Sequence, residues 1–175
     1  TALNFLGRLS GIASLTHRWV VEVSATKTKI RDTRKTTPLL RELEKFAVRM
    51  GGGVNHRMSL SDAALIKDNH IVAAGGITEA FTAVRKKYPQ VSVEVEVDTL
   101  EQLKEVLAAG ADLILLDNMS LEQTRAAVEI AGGKTKLESS GGLSLENAKA
   151  YASTGVDFLA VGALTHSAAV MDIGL

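Results

Sequence analysis

Short runs rich in β-branched residues alternate with stretches whose apolar residues fall at helical spacing, and this alternation limits the folds open to the chain more than any other feature. Strands are expected at Thr28–Asp32, Val54–Met58, Leu65–Asp68, Val91–Val97, Leu113–Asp117, Lys136–Ser140 and Phe158–Gly162. Helical faces lie between most of them. Leu39, Leu43, Phe46 and Met50 make one, and Ile77, Phe81, Val84 and Tyr88 another. Leu100, Leu103 and Leu107 make a third, and Leu121, Thr124, Val128 and Ala131 a weaker fourth. Pro38 stands where a helix would start, while Asp112, Gly133 and Gly155 mark joints. A further helix, from about Ala2 to Val23, precedes the first strand. Strand, helix and strand in succession imply a parallel sheet, because a parallel neighbour is reached only by a crossover.

Such a sheet is either doubly wound or closed. No glycine fingerprint follows the first strand, as a dinucleotide-binding fold requires. Nearly every strand ends in polar residues, which spreads chemistry around a ring. Both features favour a TIM-like α/β barrel. The step from Val54–Met58 to Leu65–Asp68 leaves no room for a helix. The expected fold is therefore an irregular, incomplete barrel of about seven strands, with an N-terminal helix, filling residues 1–175 as one domain. The chain opens on Thr1 with its helical rhythm already running, so the sequence is expected to begin partway into a longer protein.

Composition narrows the function. The 20 basic and 20 acidic residues cancel, so no excess field exists to draw a nucleic-acid backbone. Without cysteine there is no disulfide, thiolate metal site or cysteine nucleophile. Apolar runs such as Leu113–Leu116 are too short to span a bilayer, and a cytoplasmic location is expected. Charge chemistry must come from local segregation of the two signs.

That segregation is visible. In Val91–Val97 the valines share one strand face, while Glu94 and Glu96 share the other and point into the barrel interior. Within a βα array both faces are covered, so buried acids need partners. Arg34 and Lys35 follow the first strand, His56 and Arg57 end the second, and Lys67 ends the third. Five cationic or potentially cationic groups would converge opposite Glu96 and Asp117. Such a cluster suits a small substrate with several carboxylates and phosphates. Small residues in Glu138–Ser144 and Val161–Ser167 lie between the last strands and the helices after them, where free backbone N–H groups favour phosphate. Gly51–Gly53 reads as a helix stop, Trp19 as packing, and His17 and His70 as histidines without a role.

Taken in order, Asp32-Thr-Arg-Lys-Thr-Thr-Pro38, Gly51-Gly-Gly-Val-Asn-His-Arg57, Leu65-Ile-Lys-Asp-Asn-His70, Glu94-Val-Glu-Val97, Leu115-Leu-Asp-Asn118, Glu138-Ser-Ser-Gly-Gly142 and Val161-Gly-Ala-Leu-Thr-His166 resemble the successive motifs of quinolinate phosphoribosyltransferases. The resemblance runs the length of the chain. It implies transfer of a phosphoribosyl group from phosphoribosyl pyrophosphate to quinolinate, with decarboxylation and with Mg²⁺ as cofactor, in NAD biosynthesis. It also implies an N-terminal open-sandwich domain, absent here, and a homodimer or multiple of dimers. In that family the segment before the barrel supplies an arginine to the partner's quinolinate site.

Residue by residue, the resemblance puts Thr33, Arg34, His56, Arg57 and Lys67 at the quinolinate. It puts Lys35, Glu96, Asp117, Ser140, Gly141, Gly142, Gly162 and His166 at the phosphoribosyl donor. Glu96 and Asp117 are the expected magnesium ligands, direct or indirect, and Lys67, Glu96 and Asp117 the expected catalytic groups. Three alternatives remain open. One is a nicotinate-type phosphoribosyltransferase without decarboxylation. Another is a phosphate-binding aldolase or isomerase using Lys67 as a Schiff base, and the last a non-catalytic ligand-binding or dimerisation half-protein.

Overall fold

Val93, Val95 and Val97 are fully buried beneath helices, while Glu94 and Glu96 project to the opposite side of the same strand. That division is repeated around a curved parallel sheet with helices outside and a polar interior. The computed structural model describes residues 1–174. Its strands are β1 (Lys29–Arg31), β2 (Ala64–Ile66), β3 (Val93–Val97), β4 (Leu113–Asp117), β5 (Lys136–Ser140) and β6 (Phe158–Ala160). They are hydrogen-bonded in the order β1-β6-β5-β4-β3-β2, all parallel. The helices are α1 (Ala2–Glu22), α2 (Arg41–Met50), α3 (Asp68–Ala74), α4 (Ile77–Lys87), α5 (Leu100–Ala109), α6 (Leu121–Ala131), α7 (Leu145–Ala152) and α8 (Ala163–His166).

The expected incomplete α/β barrel is present, with six strands among the described residues where about seven were expected. Val54–Met58 reduces to a single parallel bridge between Val54 and Arg31. The reason is local. Past Val54, side chains take over the backbone groups that a ladder would have used. Asp32 accepts the His56 N–H at 2.7 Å, and Lys45 Nζ donates to the His56 carbonyl at 2.9 Å. The Arg57 N–H goes to its neighbour's ring, and Asp62 accepts the N–H of Met58 at 2.7 Å. No ladder joins this segment to β2 among the described residues, so the sheet stays open there. The other differences are at the ends. The third expected strand stops at Ile66, because Lys67 caps α3 and His70 lies in its first turn, accepting the Lys67 N–H at 2.9 Å.

α2 inverts the expected amphipathic reading. Leu39, Leu43, Phe46 and Met50 are exposed, while Glu44 and Lys45 have no solvent exposure at all. The inward stripe carries charge because it has partners. Glu44 accepts from Arg8 at 2.9 Å and from both the N–H and hydroxyl of Thr37. Lys45 pairs with Asp32. Adjacent residues of one helix thus hold the Thr33–Thr37 loop at both ends. Gly51 and Gly53 serve as more than a helix stop, since a side chain at either would strike Thr16 of α1 within 2.7–2.8 Å. Trp19 is buried as expected and His17 is exposed. None of the helices is long and apolar enough to cross a membrane.

Candidate active site

In a parallel barrel the strand C-termini share one face, and the residues just past them form its rim. A cavity of about 320 Å³ opens there, lined by Thr33, Arg34, Lys35, His56, Arg57, Leu65, Lys67, Glu96, Leu115, Asp117, Glu138, Ser140 and Ala160. All five basic residues anticipated from the strand ends therefore meet around one space, with both expected acids. A larger cavity of about 890 Å³ lies at the opposite strand ends. Its acids are already paired, Asp157 with Lys27 and Asp112 with Arg85, and its other basic residues are Arg31, Lys134 and Lys136.

The loop after β1 is stiffened where it carries Arg34 and Lys35. The Thr33 hydroxyl accepts the Lys35 N–H at 3.1 Å, and Thr165 of α8 donates to the Lys35 carbonyl at 2.8 Å. Arg57 Nη1 donates to the Ala63 carbonyl at 3.0 Å. Burial, followed by the nearby Arg34 charge, pushes the Arg57 guanidinium below its ordinary value. The Nε groups of both Arg34 and Arg57 are buried donors with no acceptor among the described residues. Orphaned donors of this kind are costly unless a ligand completes them.

The signs are less segregated than expected. Lys67 Nζ donates to Glu96 Oε2 at 2.6 Å, so a cation and an acid of the rim neutralise one another directly. His56 departs from the cationic expectation as well. Burial holds its imidazole down at about 4, although Glu138 pulls the other way. Asp117, at the end of β4, accepts from the Asn118 side chain at 2.8 Å.

The expected phosphate-binding residues divide. Ser140 lines the cavity, whereas Gly141, Gly142, Gly162 and His166 stand just past the lining residues Ser140 and Ala160. Gly141 has φ of +87°, and its missing Cβ makes room for the Asn118 side chain. An added Cβ at Gly162 would lie 3.1 Å from His166 Nε2 and 3.3 Å from Lys35 Cδ, which places those three residues together.

Sequence reading passed over part of the site. Leu65, Leu115 and Ala160 give the cavity apolar walls, and Asn118 braces the glycine turn. Arg31 and Glu138 join the expected Glu94 in the barrel interior, Glu138 also lining the cavity. The period-two alternation that put Glu94 and Glu96 inside also applies to β5, where Glu138 is in step with the cavity-lining Ser140, so the signal was present.

The C-terminal domain of quinolinate phosphoribosyl transferase, as a family, matches residues 12–175. The nicotinate-nucleotide pyrophosphorylase (carboxylating) of Mycobacterium leprae is 59% identical, with all of this chain and 63% of that protein covered. A probable enzyme of the same name from Bacillus subtilis is 48% identical over 99% of this chain and 60% of its own length. The crystal structure of nicotinate-nucleotide pyrophosphorylase from Ehrlichia chaffeensis superposes with a TM-score of 0.96 at 48% identity, covering 98% of this chain and 63% of that one. The chain thus spans less than two thirds of the length of these relatives. By sequence and by fold, it belongs to the quinolinate phosphoribosyl transferase family, matching its C-terminal domain.

Proposed function

We propose that the barrel carries the active site of a decarboxylating quinolinate phosphoribosyltransferase, which joins quinolinate to phosphoribosyl pyrophosphate and releases pyrophosphate and CO₂. The observation that supports this most is the pair of buried, unpartnered Arg34 and Arg57 Nε donors beside Lys67. Two guanidinium planes and an ammonium in one small space suit a planar dianion better than a monoacid.

In this reading the pyridine ring lies between Arg34, Arg57 and Lys67, with Thr33 beside it. Its nitrogen attacks C1 of the ribose as pyrophosphate leaves. Positive charge develops on the sugar, and the carboxylates of Glu96 and Asp117 stabilise it. Lys35, Ser140 and the Gly141–Gly142 and Gly162–His166 turns hold the donor's phosphates. The alkylated, cationic ring nitrogen then stabilises the electron pair left on C2 when the 2-carboxylate departs as CO₂, and that pair takes up a proton from water. Leu65, Leu115 and Ala160 favour that loss, because an anion in a poorly solvated place gains by becoming neutral CO₂.

Mg²⁺ fits the donor set. Glu96 and Asp117 sit on neighbouring strands and offer oxygen, the ligand this ion prefers. Glu96 Oε1 and Asp117 Oδ1 take no hydrogen bond within the described residues. When bound, the ion would neutralise charge on the departing pyrophosphate. The working enzyme is taken as a cytoplasmic homodimer or multiple of dimers. The exposed Leu39, Leu43, Phe46 and Met50 face and the open cavity mouth leave room for such contacts.

Calorimetry of this chain with quinolinate and with nicotinate tests the reading. Selective binding of quinolinate is expected. Equal binding of both acids, or of neither, would contradict it.

A further inference from the structure

At the floor of the cavity, where His56 and Glu138 line it, lies a group of side chains that the transfer reaction leaves without a role. Arg31 of β1, Glu94 of β3 and Glu138 of β5 meet His56 in the barrel interior. Arg31 Nη1 donates to Glu138 Oε2 at 2.6 Å and lies 4.0 Å from Glu94 Oε1. His56 Nε2 is 3.0 Å from Glu94 Oε2 and 3.6 Å from Glu138 Oε1. Its other nitrogen, Nδ1, accepts the backbone N–H of Arg57 at 2.7 Å.

That last bond assigns the ring's hydrogen. A nitrogen that accepts from a backbone N–H carries no hydrogen of its own, so the single ring hydrogen is on Nε2, the nitrogen 3.0 Å from Glu94 Oε2. Nδ1 is then occupied inside the protein, and Nε2 lies against two buried carboxyls. The backbone on either side of the ring is equally fixed, with the His56 N–H on Asp32 and its carbonyl on Lys45. The charges around it close on themselves. Glu94 Oε1 and Glu138 Oε1 are each buried without a partner, and one proton held by Glu138 leaves a single buried charge in place of two. Burial, followed by the Glu94 charge, pushes Glu138 up to about 7, which favours that proton. With Arg31 positive, one carboxylate negative and the imidazole neutral, the group sums to zero.

We propose that His56 is a positioning residue and not a cation for the substrate. It stands as a neutral pillar on the Glu94 and Glu138 carboxyls, accepts the Arg57 N–H, and so fixes where the Arg57 guanidinium enters the cavity. The inference rests on the quinolinate reading, and it narrows that reading. Within the barrel, Arg34, Arg57 and Lys67 meet the dianion's charge.

The experiment is long-range ¹H–¹⁵N correlation of the histidine rings in the labelled chain, with His56 assigned by comparison with His56→Gln. The expected signals are a protonated Nε2 and an unprotonated Nδ1 from pH 5.5 to 8, unchanged on adding quinolinate. An imidazolium in this range, or one that forms when quinolinate binds, would overturn the proposal. So would loss of the Nε2 hydrogen on adding Zn²⁺, since His56, Glu94 and Glu138 have ligand atoms within 4.8 Å of one another. A second arm compares quinolinate affinities. His56→Asn keeps an acceptor at the Nδ1 position and is expected to bind within about threefold of the parent, whereas His56→Ala should lose tenfold or more. Equal losses in the two variants would show that the acceptor does not matter. If the parent chain bound no quinolinate, the functional reading would fail, while the ligand-free ring signals would still decide the role of His56.

Discussion

Lys67 Nζ lies 2.6 Å from Glu96 Oε2, so the cation expected to meet quinolinate and the carboxylate expected to face the ribose neutralise each other before a ligand arrives. The pair is partly open to water, with the lysine side chain 46% and the glutamate 13% exposed, so its own contribution to stability is small. Its effect is on order and economy of charge. Each ligand that enters must compete for one member of the pair.

Glu96→Gln is therefore expected to act in opposite directions on binding and chemistry. Freeing Lys67 should tighten quinolinate binding by up to about fivefold, since a half-exposed pair is worth about 1 kcal/mol at most. The chemical step should slow by roughly 100-fold or more, because a carboxylate facing the developing sugar cation is gone. Calorimetry and single-turnover kinetics separate the two. Weaker quinolinate binding would show that the ion pair is not a restraint.

Arg57→Ala should show the complementary pattern. Loss of a partly desolvated guanidinium is expected to weaken quinolinate binding by about 2–5 kcal/mol while sparing the donor. The same kinetic signature as Glu96→Gln would mean that the two subsites are not separate.

The two glycines after β5 make a contrast in stability. Gly141 combines φ of +87° with an Asn118 side chain in the space a Cβ would take, whereas Gly142, at φ of +60°, has nothing within 4 Å. Gly142→Ala should cost about 1 kcal/mol of backbone strain. Gly141→Ala should cost about 1–3 kcal/mol more from the collision and weaken donor binding as well. Urea midpoints for both variants check the order, and equal losses would remove Asn118 from the account.

Much of this site could be read from residue spacing because strand geometry is regular. Alternation along Val93–Val97 placed the acids inside, and βα order placed Arg34, Arg57, Lys67, Glu96 and Asp117 at one rim. What escaped was tertiary. Nothing local in Val54–Met58 shows that Asp32, Lys45 and Asp62 will take its backbone bonds and stop it from forming a strand. Hydrophobic periodicity misread α2 for the same reason, because Glu44 and Lys45 are buried by partners distant in sequence. His56 looked cationic from its neighbours, but desolvation outweighs the pull of Glu138.

The buried Lys45 and Asp32 pair is expected to brace the basic loop. Lys45→Met leaves the Asp32 carboxylate buried without its cation, which should cost about 3–5 kcal/mol. Chemical denaturation measures this. A cost below about 1 kcal/mol would show that water or Asn55 replaces the lysine.

The pH dependence follows from Glu138. Its folded value of about 7 lies above the ordinary 4.5, so its contribution is present below about 4.5 and lost as pH rises through about 7. The stability of the parent relative to Glu138→Gln should therefore fall across that window, by an amount on the order of 1–3 kcal/mol. Denaturation curves of both proteins from pH 4.5 to 8 give the difference directly, and a difference that rises with pH would contradict a protonated Glu138.

The central claim is met most directly by counting products. The chain, joined to the N-terminal portion of its M. leprae relative, is given phosphoribosyl pyrophosphate, Mg²⁺ and quinolinate labelled in the 2-carboxylate. Labelled CO₂ and pyrophosphate are expected in equal amounts, with nicotinate left unchanged under the same conditions. Pyrophosphate release with nicotinate at a comparable rate, or turnover of quinolinate without labelled CO₂, would contradict the assignment.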